Sequence, residues 1–336
     1  MEDWLRATAK RFWPEFKTAS ELDRASITFD LFGILCLMPL VLAGLVWLVA
    51  VTDLGLIRQE WLVLLFCSAF VLLFKTFHFY TFLETPGAGT PRFDSTLEPI
   101  VTWSAALVFG PTALWLSVLW DSVVYGRRLV LAATILERLD TLRNLLDNLA
   151  ANTLAGLIAL ALYQVWGGVF PLPSLTLDAI VPAAGATLVH LLFQVLVSAP
   201  MFVYVVMGWS PLFSKSSGWL SVLAWGVAIV IGATALVESF SILPAGLYTE
   251  NGPGVYFFLL AGTLLVSWLA HRLSMSVERS QQRSRELDKL EQLGRAILRA
   301  PPDDSTLPDL LEEYTTDMFS RARIEIRLYP EQTLLH

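Results

Sequence analysis

Few polar side chains interrupt the long apolar stretches of this 336-residue chain, and those few are where chemistry could be done. His190 and Gln194 stand four residues apart in the middle of a charge-free stretch, so a helix puts them on one face. An imidazole and a carboxamide there present a donor and an acceptor, either to a bound ligand or to a neighbouring helix. Asn148 and Asn152 repeat that spacing at the start of another such stretch, where asparagines commonly stitch helices together. Asp121 follows the Gly110-Pro111 pair, with Arg127 and Arg128 near enough for an ion pair. Glu238 closes a further charge-free run. It is expected to face the outer side, either wetted at the interface or meeting an external cation or cationic ligand. A charge at mid-bilayer costs about 2.5–3.5 kcal/mol on insertion scales, so each such group needs a partner or a task. His190, Gln194, Asn148, Asn152, Asp121 and Glu238 are therefore the candidates for ligand binding or sensing, with structural hydrogen bonding as the alternative for each. Lys75 and His78 are expected to snorkel to the inner headgroups.

Other chemistries find no footing in the sequence. His78, His190, His271 and His336 lack ligand spacing, and Cys36 and Cys67 lie in apolar runs away from any metal pattern. No Ser/His/Asp arrangement, Gly-rich phosphate loop or HExxH occurs, so no catalytic residue, metal or cofactor is assigned. The net charge of −7 leaves no basic footprint for nucleic acid. Trp47, Trp61, Trp166, Trp209 and Trp219 fall near segment ends, as aromatic belts require.

The elements that position these residues are membrane segments. The chain is 55% hydrophobic and only 16% charged, against about 25% charge in soluble domains. A bilayer core of about 30 Å needs about 20 apolar helical residues. Leu31–Thr52, Trp61 to Leu83, Pro99–Trp120, Asn148–Leu177, Ala179–Ser214, Ser216–Val237 and Asn251–Ala270 approach or exceed that length. The stretch Leu97–Tyr125 contains Phe109-Gly110-Pro111, a helix breaker, and reads either as one long helix or as a hairpin of two short ones. Charge placement favours the hairpin. With it, eighteen Lys and Arg fall on the inner side and one, Arg58, on the outer. The expectation is an all-α polytopic fold of about eight membrane segments, multi-pass in a bacterial inner membrane, with both termini cytoplasmic.

The flanks differ in kind. Within residues 1–30, Leu5, Ala9, Phe12, Trp13 and Phe16 share one helical face, which suits an interfacial helix on the inner leaflet or a cap on the bundle. A second amphipathic stretch, 127–146, is expected along or just under the membrane. Residues 31–271 are read as the membrane domain. Residues 272–300 continue as a polar helix whose Leu287, Leu290 and Ile297 make a weak coiled-coil seam, a possible dimer stalk. Residues 301–336 hold a linker, a short helix from Leu307 to Phe319, an alternating strand Arg321–Leu328, and a turn into a second strand. One helix and one strand pair cannot bury a core, so these are expected to open a longer soluble domain.

Two blocks resemble known families. Leu107-Val108-Phe109-Gly110-Pro111, Trp120-Asp121-Ser122, Arg127-Arg128, Asn148-Leu149-Ala150-Ala151-Asn152 and Tyr163-Gln164-Val165-Trp166-Gly167-Gly168 resemble the MASE-type integral-membrane sensor regions of bacterial signalling proteins. Leu290-Glu291-Gln292-Leu293-Gly294-Arg295-Ala296-Ile297-Leu298, Leu310-Leu311 and Ala322-Arg323-Ile324-Glu325-Ile326-Arg327-Leu328 resemble the opening helix and first strand of an α/β GAF domain. The resemblance implies a non-enzymatic sensory input module that passes a ligand- or membrane-induced helix shift to a cytoplasmic output. Its partners would be membrane lipid, an unidentified small ligand and a second copy of the chain through the linker helix. Two other readings stand beside it: a small-solute transporter or substrate-binding membrane subunit, and a membrane anchor or dimerisation scaffold.

Overall fold

A computed structural model describes residues 2–12, 16, 20–82, 92–206, 232, 234–299, 326–328 and 332–335. They fall into two units, Met1–Trp268 and Leu269–His336. The first unit is a helical bundle. Helix α1 spans Glu2–Phe12, α2 Glu21–Val51, α3 Leu54–Gln59 and α4 Trp61–Thr76. After a strand pair come α5 Glu98–Phe109, a tight turn Gly110–Leu114 and α6 Trp115–Leu131. Helix α7, Ile135–Ala150, runs through a π-turn at Ala151–Ala155 into α8, Gly156–Val165. Helix α9 is Leu177–Val206, α10 is 234–240 and α11 is Ile242–Asn251, while α12, Pro253–Arg299, begins in this unit and ends in the second. Among the described residues five helical runs are long and apolar enough to cross a membrane, and α4 is a shorter apolar helix. The chain is thus a multi-pass membrane protein, with five such runs where about eight segments were expected. The expected seventh segment, Ser216–Val237, lies largely outside the described residues.

One of the five runs, Glu98–Leu131, is folded back on itself. A straight helix separates residues 98 and 121 by roughly 35 Å at 1.5 Å per residue. Here Glu98 and Asp121 both lie 2.7 Å from the same atom, Lys75 Nζ. The return is made at Gly110, whose φ of 64° and ψ of −156° suit glycine alone, followed by Pro111. The tip is docked rather than free. Thr112 Oγ1 accepts from the Asp53 amide, Trp115 Nε1 donates to Thr52 Oγ1, and Leu172 N donates to Leu107 O.

These contacts sort the bundle into two ends. At the tip end, Glu250 accepts from the Leu175 amide and Tyr248 donates to Glu60. Burial and the adjacent Glu60 carboxylate push the Tyr248 phenol up to about 12, so it stays a neutral donor. At the other end, Leu5 packs with Phe32 of α2 and Tyr204 of α9, while Ala9 and Phe16 pack with Ile27 of α2 and Leu139 of α7. The apolar face of α1 therefore serves as a cap on the bundle, although Trp4 is exposed.

Other expectations are corrected by packing. The apolar run from Trp61 does not continue as helix to Leu83. Helix α4 stops at Thr76, and the aromatic, β-favouring stretch Phe79–Phe82 pairs antiparallel with Arg92–Ser95. The amphipathic stretch 127–146 is not a separate in-plane helix. Its first part ends α6, and its second, α7, carries on into α8 as one run, Ile135–Val165. A capping box at Thr134 and Glu137 starts that run. Helix α2 lies against it so closely that a Cβ on Gly44 would come within 2.2 Å of Thr153 Oγ1.

In the second unit, Ile326–Leu328 pairs antiparallel with Gln332–Leu335, so the strand–turn–strand reading has a paired counterpart. A lone strand pair is common to many folds and does not carry a GAF assignment. The expected helix Leu307–Phe319 lies outside the described residues.

The turn yields a test. Gly110→Ala places a side chain where φ is 64° and its Cβ would stand 3.3 Å from Phe170. It is expected to destabilise the bundle by about 1–3 kcal/mol, read as a lowered melting temperature in detergent.

Candidate functional site

Two buried polar centres occupy the bundle. The first is built where α4 ends. Lys75 is the last-turn base of an otherwise apolar helix, and the folded-back hairpin brings a carboxylate from each arm to it. Side-chain exposure is 13% for Lys75, 12% for Glu98 and 2% for Asp121, so the ammonium is enclosed and does not snorkel. The second Asp121 oxygen accepts from Asn152 at 2.9 Å. One turn away, Asn148 donates to the Tyr125 hydroxyl at 3.1 Å. The pairs Asp121–Asn152 and Tyr125–Asn148 form two rungs between α6 and the following antiparallel run. The upper rung sits in the π-turn, whose wider winding sets the direction of Asn152.

The second centre gathers three of the sequence-derived candidates. His190 Nδ1 lies 2.9 Å from Glu238 Oε2. Gln194 Nε2 lies 3.3 Å from both His190 Nε2 and Glu238 Oε1. Glu238 is 1% exposed and His190 5%, which corrects the expected wetted Glu238. The hydroxyl of Ser241 donates to the Glu238 carbonyl. The imidazole lies flat on the indole of Trp103, with centroids 4.4 Å apart and planes 4° from parallel. Trp103 is itself fixed, because its Nε1 donates to Thr187 Oγ1 at 2.8 Å, one turn before His190 on α9.

Helix α5 links both centres to α12. Glu98 belongs to the first centre and Trp103 to the second. The next residue, Ser104, hydrogen-bonds the hydroxyl of Tyr256 at 3.0 Å. Tyr256 is fully enclosed, and the Cys67 thiol of α4 also approaches its hydroxyl at 3.8 Å. Farther along α12, Ser267 donates to the Phe77 carbonyl at the end of α4.

Sequence reasoning missed Lys75, Glu98, Trp103, Thr187, Ser104 and Tyr256 as members of these centres. For the first, a signal existed. Glu98 precedes and Asp121 follows the Gly110-Pro111 break by similar distances, so a hairpin sets them at one depth, and Lys75 is the lone cation in its apolar run. For Trp103, Thr187 and Tyr256 there was none, because partners 84 and 152 positions apart meet only through packing. A third cluster, also missed, joins α7 to α2: Arg143 pairs with Asp30 and Asp140 and lies over the Phe29 ring. Among the described residues no group of three His, Cys, Asp or Glu is placed to hold a metal ion.

Chemically, the first centre is a lock. In the lock every charge is paired and hydrogen-bonded, and removing one partner of such a pair strands the others. Lys75→Met is expected to cost about 3–5 kcal/mol of stability in detergent unfolding. Adding Glu98→Gln and Asp121→Asn to it is expected to restore most of that loss, since the stranded carboxylates are gone. Comparisons with protein-family models, with curated proteins and with solved structures return no match for this chain.

Proposed function

We propose that the chain is the membrane sensory input module of a bacterial signalling protein, with both termini cytoplasmic. In this reading the bundle has two packings, a stimulus at the His190–Glu238–Gln194 centre biases them, and α12 carries the difference outward to a soluble output. The carrying observation is the pair of consecutive residues on α5. Trp103 lies on the imidazole and Ser104 on Tyr256 of α12, a helix that runs unbroken from an apolar stretch into Arg-, Glu- and Gln-rich sequence up to Arg299. A helix that only anchored the bundle would need neither the buried hydroxyl network nor the polar extension. The MASE-like and GAF-like sequence blocks agree with this reading, and a dimer through residues 272–300 would be the natural receiver.

The transporter reading has one observation of its own, the folded-back hairpin with a buried lysine and two carboxylates between helices. Solute uptake into liposomes carrying residues 1–272 would favour it over a sensor.

Residues 1–300 fused to a dimer-dependent reporter output form the test. The fusion is expected to change its output with a bilayer or solution stimulus, by a factor corresponding to a coupling of about 1–3 kcal/mol. Tyr256→Phe is expected to abolish most of that response while stability falls by only about 1 kcal/mol. A fusion that answers to no change of pH, osmolarity, lipid or cell extract would overturn the proposal.

A further inference from the structure

We propose that the His190–Glu238–Gln194 centre is a proton-binding site and that the proton is the stimulus; the second half of this statement rests on the sensory reading above. The placement of the Gln194 carboxamide points to one protonation state. An amide nitrogen carries two hydrogens and only donates. Gln194 Nε2 faces both His190 Nε2 and Glu238 Oε1 at 3.3 Å, so each receives one hydrogen. His190 Nε2 must then hold its lone pair, which leaves the ring hydrogen on Nδ1, donated to Glu238 Oε2 at 2.9 Å. The ring is neutral and the carboxylate charged. The centre is one proton short of an ion pair, although Glu238 is almost wholly enclosed.

Both ring nitrogens of His190, both carboxylate oxygens of Glu238 and the amino group of Gln194 are engaged, so a proton is the ligand that fits without opening the centre. It adds to the Nε2 lone pair, forming an N–H bond, and the buried charge of Glu238 is then matched by an imidazolium. Two local consequences follow. The new Nε2–H points at the Gln194 amino group, so the carboxamide must turn to offer its oxygen and gives up its bond to Glu238. The positive ring now lies on the face of Trp103, an attraction the neutral ring lacks. Because Thr187 holds the indole and Ser104 is the next residue, the change in force reaches Tyr256 through one backbone unit.

Other titratable groups on the elements packed against α9 are engaged elsewhere. Asp147 of α7 accepts from Ser198, and Asp30 of α2 pairs with Arg143. Tyr163 of α8 donates to the Val169 carbonyl, and Glu250 and Tyr248 of α11 bond Leu175 N and Glu60. On α5, Glu98 pairs with Lys75. The charged partner that faces the imidazole among the described residues is Glu238 of α10.

The experiment is nitrogen NMR on the whole 336-residue chain in lipid nanodiscs, labelled at its histidines, with His190 assigned by the signal lost in His190→Gln. At about pH 8, His190 is expected to show one bare and one protonated ring nitrogen, and at about pH 5 two protonated nitrogens. An unchanged pattern across that range overturns the proposal. Glu238→Gln is expected to move the midpoint down by about one to three pH units. Gln194→Leu, which removes the donor competing for the lone pair, is expected to move it up, and this variant decides the matter if the first fails to fold. A midpoint that moves in the opposite direction in the variants that fold also overturns the proposal. Titration of His190 with a pH-indifferent reporter fusion would leave the proton site standing and sink the sensory reading. A responsive fusion with a silent His190 would do the reverse.

Discussion

One ammonium held between two carboxylates organises the bundle. Lys75 can meet both Glu98 and Asp121 only if the chain between them turns back, so the ion pairs and the Gly110 turn require each other. The low polarity around them raises the cost of any arrangement that parts the three charges. Burying a salt bridge is weak grounds for stability, but it is strong grounds for register, since a slipped hairpin would strand a charge. Everything after α6 inherits its direction from this closure. Helix α7 starts at the end where α1 caps the bundle, and α8 finishes at the end where the hairpin tip is docked.

The same closure gives α5 its central place. A helix of twelve residues touches three different partners through side chains at positions 98, 103 and 104. Its burial is close to complete, with Ile100, Val101, Trp103 and the run Ser104–Phe109 all enclosed. Tight packing around a short, enclosed helix of this kind leaves it discrete arrangements and no continuous bending. The lock at one end and the His190 centre along its side thus contact the same piece of structure.

The polar residues of the bundle divide by this geometry into two sorts. Asp121, Asn148 and Asn152 join helices that are neighbours in sequence, and their bonds hold the fold. His190, Gln194 and Glu238 join α9 to α10 across a long intervening stretch through three mutual hydrogen bonds. The imidazole is also stacked on Trp103 of α5, a contact the asparagine rungs do not have.

The sequence by itself determined that this is a multi-pass helical membrane protein, where the chain must turn, and which few polar side chains interrupt its apolar stretches. Those conclusions follow from local rules: apolar length against bilayer thickness, the breaking power of Gly110-Pro111, and the cost of an intramembrane polar group. The fold-back expected at that turn is present, since Glu98 and Asp121 meet at Lys75. Only the tertiary structure decided that Lys75 is a buried partner and not a surface anchor, that Glu238 is enclosed beside His190, and that Trp103 and Tyr256 flank one point on α5. Pairings between residues 46 to 152 positions apart depend on how helices pack, and a helix's own periodicity carries no record of its neighbour's identity.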